Sequence, residues 1–303
     1  MSATRVLPHD ADLAAALRDA PSGAPVTFGP GTYRLSGTVR RAAPLTLAGQ
    51  GASATELVLE GEASLLLEST GGEIRGIMLR AASAQRQAPA LQAEHCRDLV
   101  LRDLVLRDMR EGVALRDCTD VRLDGISFRR IGLAASRLHG CMQIMLRADV
   151  EATGLVHRHA AILLEDCTRF SIRASLRRVS GSGIELRSAA IGCHSGEIAL
   201  HASACFRALT VLGTASVPCA DLDVTAAGEE FGDVAVLLSN VSRATVDATA
   251  LAWHGEPLLR LAGGGGARDC TLHLGRVPPE AVVQAGGSTG NRIVSEPPQE
   301  AAA

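Results

Sequence analysis

Four short segments of this chain can be laid under one another: Ala93-Glu94-His95-Cys96, Leu115-Arg116-Asp117-Cys118, Leu138-His139-Gly140-Cys141 and Leu164-Glu165-Asp166-Cys167. The cysteines step by 22, 23 and 26 residues. Six places after the first residue of each copy stands another apolar residue: Leu99, Val121, Ile144 and Phe170. Weaker copies follow at Leu186, Leu212, Leu238 and Leu261. Within one copy, Val113 and Leu115, Val121 and Leu123, then Ile126 and Phe128 sit two apart, with polar corners between the pairs. Period-two alternation marks short strands with one face inward. A repeat of this length with three short strands and no helix specifies a parallel β-helix, in which each turn buries its apolar face only against its neighbours.

The composition suits such a coil. Aromatics are only 2% of 303 residues, while hydrophobic residues reach 47%. A narrow solenoid interior is filled by stacked Leu, Val, Ile and Ala. Parallel crossovers favour the right-handed form, and about ten coils are expected in one unit. Residues 10–20 spell a short helix, with Asp10 or Asp12 as its cap and Pro21 with Gly23 as its stop. Leu13 and Leu17 share one face of it and would cover the first rung. The domain plan is therefore a capping segment over 1–24, a β-helix over 25–292, and a disordered tail over 293–303. Gly263 to Gly266 is expected as a loop between strands. With no GK[ST] and no helix after it, it is not a phosphate cradle.

The net charge of −3 predicts no general affinity for nucleic acid or anionic membrane. The run MSATRVLPHD has no basic segment followed by an apolar one. The expectation is therefore a cytoplasmic protein with reduced thiols. Cys96, Cys118, Cys141 and Cys167 share one repeat position and should stack as free, buried thiols. Adjacent rungs ~5 Å apart would also permit bridges.

Pro30-Gly31-Thr32-Tyr33, preceded by a helix and a strand and followed by Leu45-Thr46-Leu47-Ala48-Gly49-Gln50-Gly51, resembles the opening of the pectate-lyase-like superfamily of right-handed β-helices. The resemblance implies the fold over roughly residues 9–290. It does not fix an activity, because lyases, hydrolases, epimerases, tailspikes and non-catalytic proteins share this fold. In the polygalacturonases of this superfamily, paired Asp residues precede a strand such as Gly112-Val113-Ala114-Leu115. Here Arg110-Glu111 stands at that place. Arg137-Leu138-His139 stands where they carry Arg-Ile-Lys, and Ser182 where they carry His. That departure argues against hydrolysis of their type. The dense acidic cluster by which pectate lyases hold calcium is also missing, so no metal and no cofactor are expected.

Side chains alternate along a strand, so the residues flanking each inward Leu face solvent. Arg116, His139, Glu165 and Arg187 should form one row, with Arg137 and Glu185 in the next. The turns before these strands add Glu111, His157 and His159. Arginine pairs bidentately with a carboxylate, and His or a carboxylate can move a proton. The expected catalytic residues are His139, Glu165 and Glu185. Arg116, Arg137, Arg187, Glu111, His157 and His159 are the expected substrate contacts. Glu165 and Glu185, on adjacent coils, should lie ~5 Å apart at the backbone, which would raise one carboxyl unless an arginine neutralises it.

The function that fits is a lyase or epimerase/isomerase acting on an acidic, uronate-like carbohydrate or related small polyhydroxylated molecule. The alternative is a non-catalytic β-helix scaffold, since an exposed strand face also carries charges that block aggregation. Near-absence of aromatics favours the scaffold, because sugar rings stack on Trp or Tyr. Trp253 and Tyr33 lie outside the polar coils. The gathering of His, Glu and Arg within three coils favours the enzyme. The partner is then a small molecule or saccharide, and the sequence sets no oligomeric state.

Overall fold

Alternating apolar residues at a regular coil length leave the chain one economical solution, which is to wind so that each inward row stacks on the last. The computed structural model shows this winding. It describes residues 5–7, 12–68, 70–83, 85–155 and 158–296. The chain forms a solenoid of about eleven turns, nearly all β, with parallel pairing between turns. Each turn passes three faces. On the first face, Pro25–Phe28 pairs with Thr46–Ala48, which pairs with Thr70–Arg75, then Arg97–Arg102. On the second, Gly31–Ser36, Thr55–Glu60, Met78–Ala81 and Val105–Met109 stack in the same way. The third carries the short strands Leu91–Glu94, Val113–Arg116, Ser136–His139, Ile162–Glu165, Ser182–Arg187 and Arg207–Leu212. Arg5–Leu7 adds to the first face beside Pro25–Phe28, and Arg292–Ser295 closes the same stack.

Three separate strands per coil were expected, but from Thr119 onward two of them fuse. Thr119–Ile131, Met142–Thr153, Thr168–Val179, His194–Cys205 and Cys219–Phe231 each run through the first and second faces as one bent strand. Ala148, Ala174, Leu200 and Ala226 share one register position in the last four of these, while Thr119–Ile131 keeps the polar corner Asp124-Gly125, with Gly125 at a φ of 65°. The other sharp corners lie elsewhere. Asp117, Gly140 and Asp166 leave the third face with φ of 51°, 63° and 53°. Asp and Gly tolerate this left-handed region better than other residues. Gly112 has a different reason to be glycine. A Cβ there would collide with the Ala135 carbonyl and the Phe128 ring of the neighbouring turn.

The inward rows are continuous. Leu115, Leu138, Leu164, Leu186, Val211, Leu238 and Leu261 stack on the third face, all buried. Leu212, which the repeat suggests for this row, lies instead in the outward register beside Arg187. The cysteine row is longer than expected. Pairing of the residues that follow them puts Cys96, Cys118, Cys141, Cys167, Cys193 and Cys219 on six successive rungs. All eight cysteines are buried and free. The Cys118 thiol is pushed up to about 12 by its neighbour Cys141 and by burial. Gly263 to Gly266 is not a loop: it is the irregular middle of the strand Leu259–Arg268, tied down by Gly265 N–H donating to Asn240 Oδ1 at 2.7 Å.

The helix spans Leu13–Arg18, shorter than the expected 10–20. Asp12 caps it, accepting from Ala15 N–H at 3.0 Å, while Asp10 lies outside the described residues. Leu13 and Leu17 are buried over the first rungs. Arg41 Nη1 donates to the Arg18 carbonyl at 2.7 Å, satisfying a group the last helical turn leaves open. Residues 297–303, part of the expected tail, also lie outside the described residues. None of the helices among the described residues is long and apolar enough to cross a membrane.

Candidate functional site

Alternation on the third face produces two outward rows, and the register fixes their members. Arg116 stands opposite His139, His139 opposite Glu165, and Glu165 opposite Arg187. In the second row Arg137 stands opposite Leu163, and Leu163 opposite Glu185. The turns that enter these strands rise beside the rows and leave a cleft of 390 Å³. Arg116, Arg137, His139, His159, Glu165 and Arg187 line it, over an apolar floor of Ala134, Ala160 and Leu163. Six of the nine expected site residues thus meet in one cavity. His157 lies outside the described residues.

Glu165 and Glu185 are not opposite one another. Their rows differ, so they are diagonal neighbours, for which ~7–8 Å is usual. Each has its own partner. His139 Nδ1 lies 3.0 Å from Glu165 Oε1. Arg187 Nε donates to Glu185, two residues back on its own strand. The expected directly opposed carboxylate pair is therefore not formed, and Glu185 is engaged by Arg187 instead.

The carboxyl that is raised is Glu111. It is only 6% exposed. Burial pushes its carboxyl above the usual range, against the pull of Arg137 and Arg110. Arg137 Nε is 3.1 Å from Glu111 Oε1, but the angle does not make a hydrogen bond, and that oxygen has no hydrogen-bond partner. The contact is a charge pair of poor directionality, and burial outweighs it. Arg116 contrasts with these. It is exposed, and its guanidinium makes no hydrogen bond or ion pair with another described residue. Ser182 is withdrawn from the surface, its Oγ 2.7 Å from Thr210 Oγ1.

Asp166 is part of this region and was not among the expected residues. Its carboxylate accepts from the backbone N–H groups of Ala189, Ala190, Ile191 and Gly192 at 3.0, 2.8, 3.1 and 2.8 Å. Burial alone would raise this carboxyl, yet the four donors together hold it below the usual range. Asp166 thereby pins the loop that follows Arg187. A signal for it exists in the sequence. Cys193 and Cys219 follow their leucines at a greater distance than Cys167 follows Leu164, so an inserted loop must be anchored there. Among the described residues no group of three or more His, Cys, Asp or Glu is placed to hold a metal ion.

Comparison with protein-family models gives no match, and sequence comparison with characterised proteins gives none either. Solved structures do align. The A-module of the mannuronan C-5 epimerase AlgE6 from Azotobacter vinelandii aligns with a TM-score of 0.64 at 15% identity, over 94% of this chain and 93% of that one. An alginate lyase from Paenibacillus sp. str. FPU-7 aligns at 0.54 and 14%, over 96% and 95%. The catalytic domain of a GH87 α-1,3-glucanase in complex with nigerose aligns at 0.60 and 9%, over 97% of this chain but only 55% of that one. This chain thus spans about half of the glucanase. At these identities the likeness concerns the fold, and it places the chain among the parallel β-helix proteins, as its opening motif implies.

Proposed function

We propose that the third-face cleft takes up an acidic, uronate-like sugar and carries out a proton-abstraction reaction on it, with β-elimination as the reaction. The observation that supports this most is the His139–Glu165 pair at 3.0 Å inside a cleft lined by Arg116, Arg137 and Arg187. Arg116, having no partner among the described residues, is the cation free to meet the sugar carboxylate. Neutralising that carboxylate acidifies the adjacent C–H. His139, oriented by Glu165, takes the proton. The electron pair of the broken C–H bond forms the C=C bond as the neighbouring C–O bond breaks. The departing oxygen receives a proton from His139 or from His159, which lines the same cleft. Glu111 and Glu185 hold Arg137 and Arg187 in place. The alignment with an alginate lyase and a mannuronan epimerase is in keeping with an acidic saccharide.

Elimination leaves an unsaturated uronate whose conjugated C=C absorbs in the ultraviolet. A spectrophotometric screen of polyuronates and short uronate oligomers tests the reading. Turnover by the wild type, lost in His139→Ala, is the expected result. Absence of turnover and of binding at this cleft across the screen would make the scaffold reading the better one. That alternative draws on the ion pairs at Glu111–Arg137 and Glu185–Arg187, which neutralise part of the face.

A further inference from the structure

A second groove runs parallel to the solenoid axis, along the bend of the long strands, on a part of the surface that shares no lining residue with the cleft. Two cavities of 560 and 310 Å³ share Asp149 and Ser175 and join into one groove. Its floor is Ala148, Ala174 and Leu200, in register from turn to turn. On one wall Arg147 stands opposite Arg173. Along the middle, Asp149 stands opposite Ser175, and Ser175 opposite His201. On the far side Arg177 stands opposite Glu151.

Like charges directly opposite one another destabilise a sheet, and here only Arg147 has a carboxylate beside it. The carboxylate paired with Arg147 is Asp124, at 3.9 Å. The guanidinium groups of Arg173 and Arg177 make no hydrogen bond or ion pair with another described residue. Glu151, opposite Arg177, is engaged by Arg178 instead. The groove therefore presents two guanidinium groups, those of Arg173 and Arg177, that lack an anion. The middle row says what kind of anion. Asp149, Ser175 and His201 also have no partner among the described residues. A nucleic acid would find no Phe, Tyr or Trp among the lining residues to stack its bases. A chain that alternates carboxylates with hydroxyls satisfies both rows. Its carboxylates fit the arginine forks, and its hydroxyls donate to Asp149 and Ser175. Equivalent positions recur every ~4.8 Å along the axis, which suits a linear polymer lying lengthwise.

We propose that this groove is a second binding site, for a linear uronate-containing polysaccharide, independent of any chemistry at the third-face cleft. The test is calorimetric binding of a long oligomannuronate, at low salt, to the full chain. The comparisons are its disaccharide, oligo(dT) and dextran. The protein is compared with Arg147→Gln/Arg173→Gln, whose circular dichroism should match the wild type. The expected result is tighter binding of the long oligomer than of its disaccharide. The double variant should weaken it by about tenfold or more, with a shallower salt dependence and unchanged turnover of short substrates at the cleft. Equal affinity of wild type and double variant for the long oligomer would overturn the proposal. So would failure of the wild type to bind it, or a preference for oligo(dT) or dextran. Loss of oligomer binding in the double variant stands even if no turnover is ever found, so this proposal and the lyase reading fail separately.

Discussion

The third-face cleft and the groove along the bend draw on the same residue types, arginine, histidine, carboxylates and serine, yet they are wired in opposite ways. In the cleft nearly every charge has a partner. His139 is held by Glu165, Arg187 by Glu185, and Arg137 by Glu111, with Arg116 left over. In the groove Arg173, Arg177, Asp149 and His201 have no partner among the described residues. Partnered groups are fixed in position, which proton transfer requires. Unpartnered groups keep their charge available to a ligand, which holding requires. The difference follows from register. On the third face opposite charges meet across or along a strand, whereas on the bend Arg147 meets Arg173.

The comparison breaks most readily in turnover. Glu165→Gln and His139→Ala should each lower kcat by ~100-fold or more if His139 transfers the proton, with folding little changed at these half-exposed positions. Arg147→Gln/Arg173→Gln should leave kcat on short substrates where it was. The reverse outcome would move the reaction to the bend and leave the cleft an ion-paired face.

A second difference is the rim. The strand that brings Arg187 to the cleft runs into a loop pinned through Asp166. Asp166→Ala orphans four backbone donors, and about 3 kcal/mol or more of stability should be lost. Because the folded state holds this carboxyl low, its contribution is present above the ordinary Asp value of about 3.9 and is lost as pH falls through the folded value. Denaturant melts of wild type and variant should therefore converge in acid. A gap that stays constant down to acid would mean that the four donors do not depend on the charge. Glu111 has the opposite sign. Its raised value makes the buried carboxylate a growing cost as pH rises from the unfolded value through the folded one. Glu111→Gln should lose that dependence, being relatively more stable towards neutral pH. An unchanged pH profile in the variant would remove the claim.

The outward rows were legible in the sequence because period two and a common rung settle which side chains leave the core. Arg116, His139, Glu165 and Arg187 fall where counting from the inward leucines puts them. What counting does not supply is which charge turns to which. Arg187 folds back along its own strand to Glu185, a choice of rotamer rather than of register. Inserted loops hide rungs in the same way. Cys193 and Cys219 join the thiol row only because the loops before them are looped out, and Val211 replaces Leu212 for want of one residue of register. The bend was invisible for a different reason. In Met142–Thr153 the alternation continues unbroken through Ala148, so nothing in that pattern marks a corner.

The smallest effect belongs to an ion pair outside both regions, and it calibrates the larger ones. Arg243 meets Asp221 in a two-pronged contact at 2.6 and 2.8 Å, and both side chains are well exposed. Its geometry is as good as that of any pair in the cleft. The Asp221 carboxyl is held below its usual range mainly by that arginine. Solvent nonetheless screens an exposed pair, and ordering two side chains opposes it. Arg243→Ala should therefore lower stability only slightly, and added salt should erase most of that. Thermal melts with and without salt check this. A loss comparable to that of Asp166→Ala would mean that exposed pairs on this solenoid are not screened. The contrast between partnered and unpartnered arginines would then reflect stability rather than ligand binding.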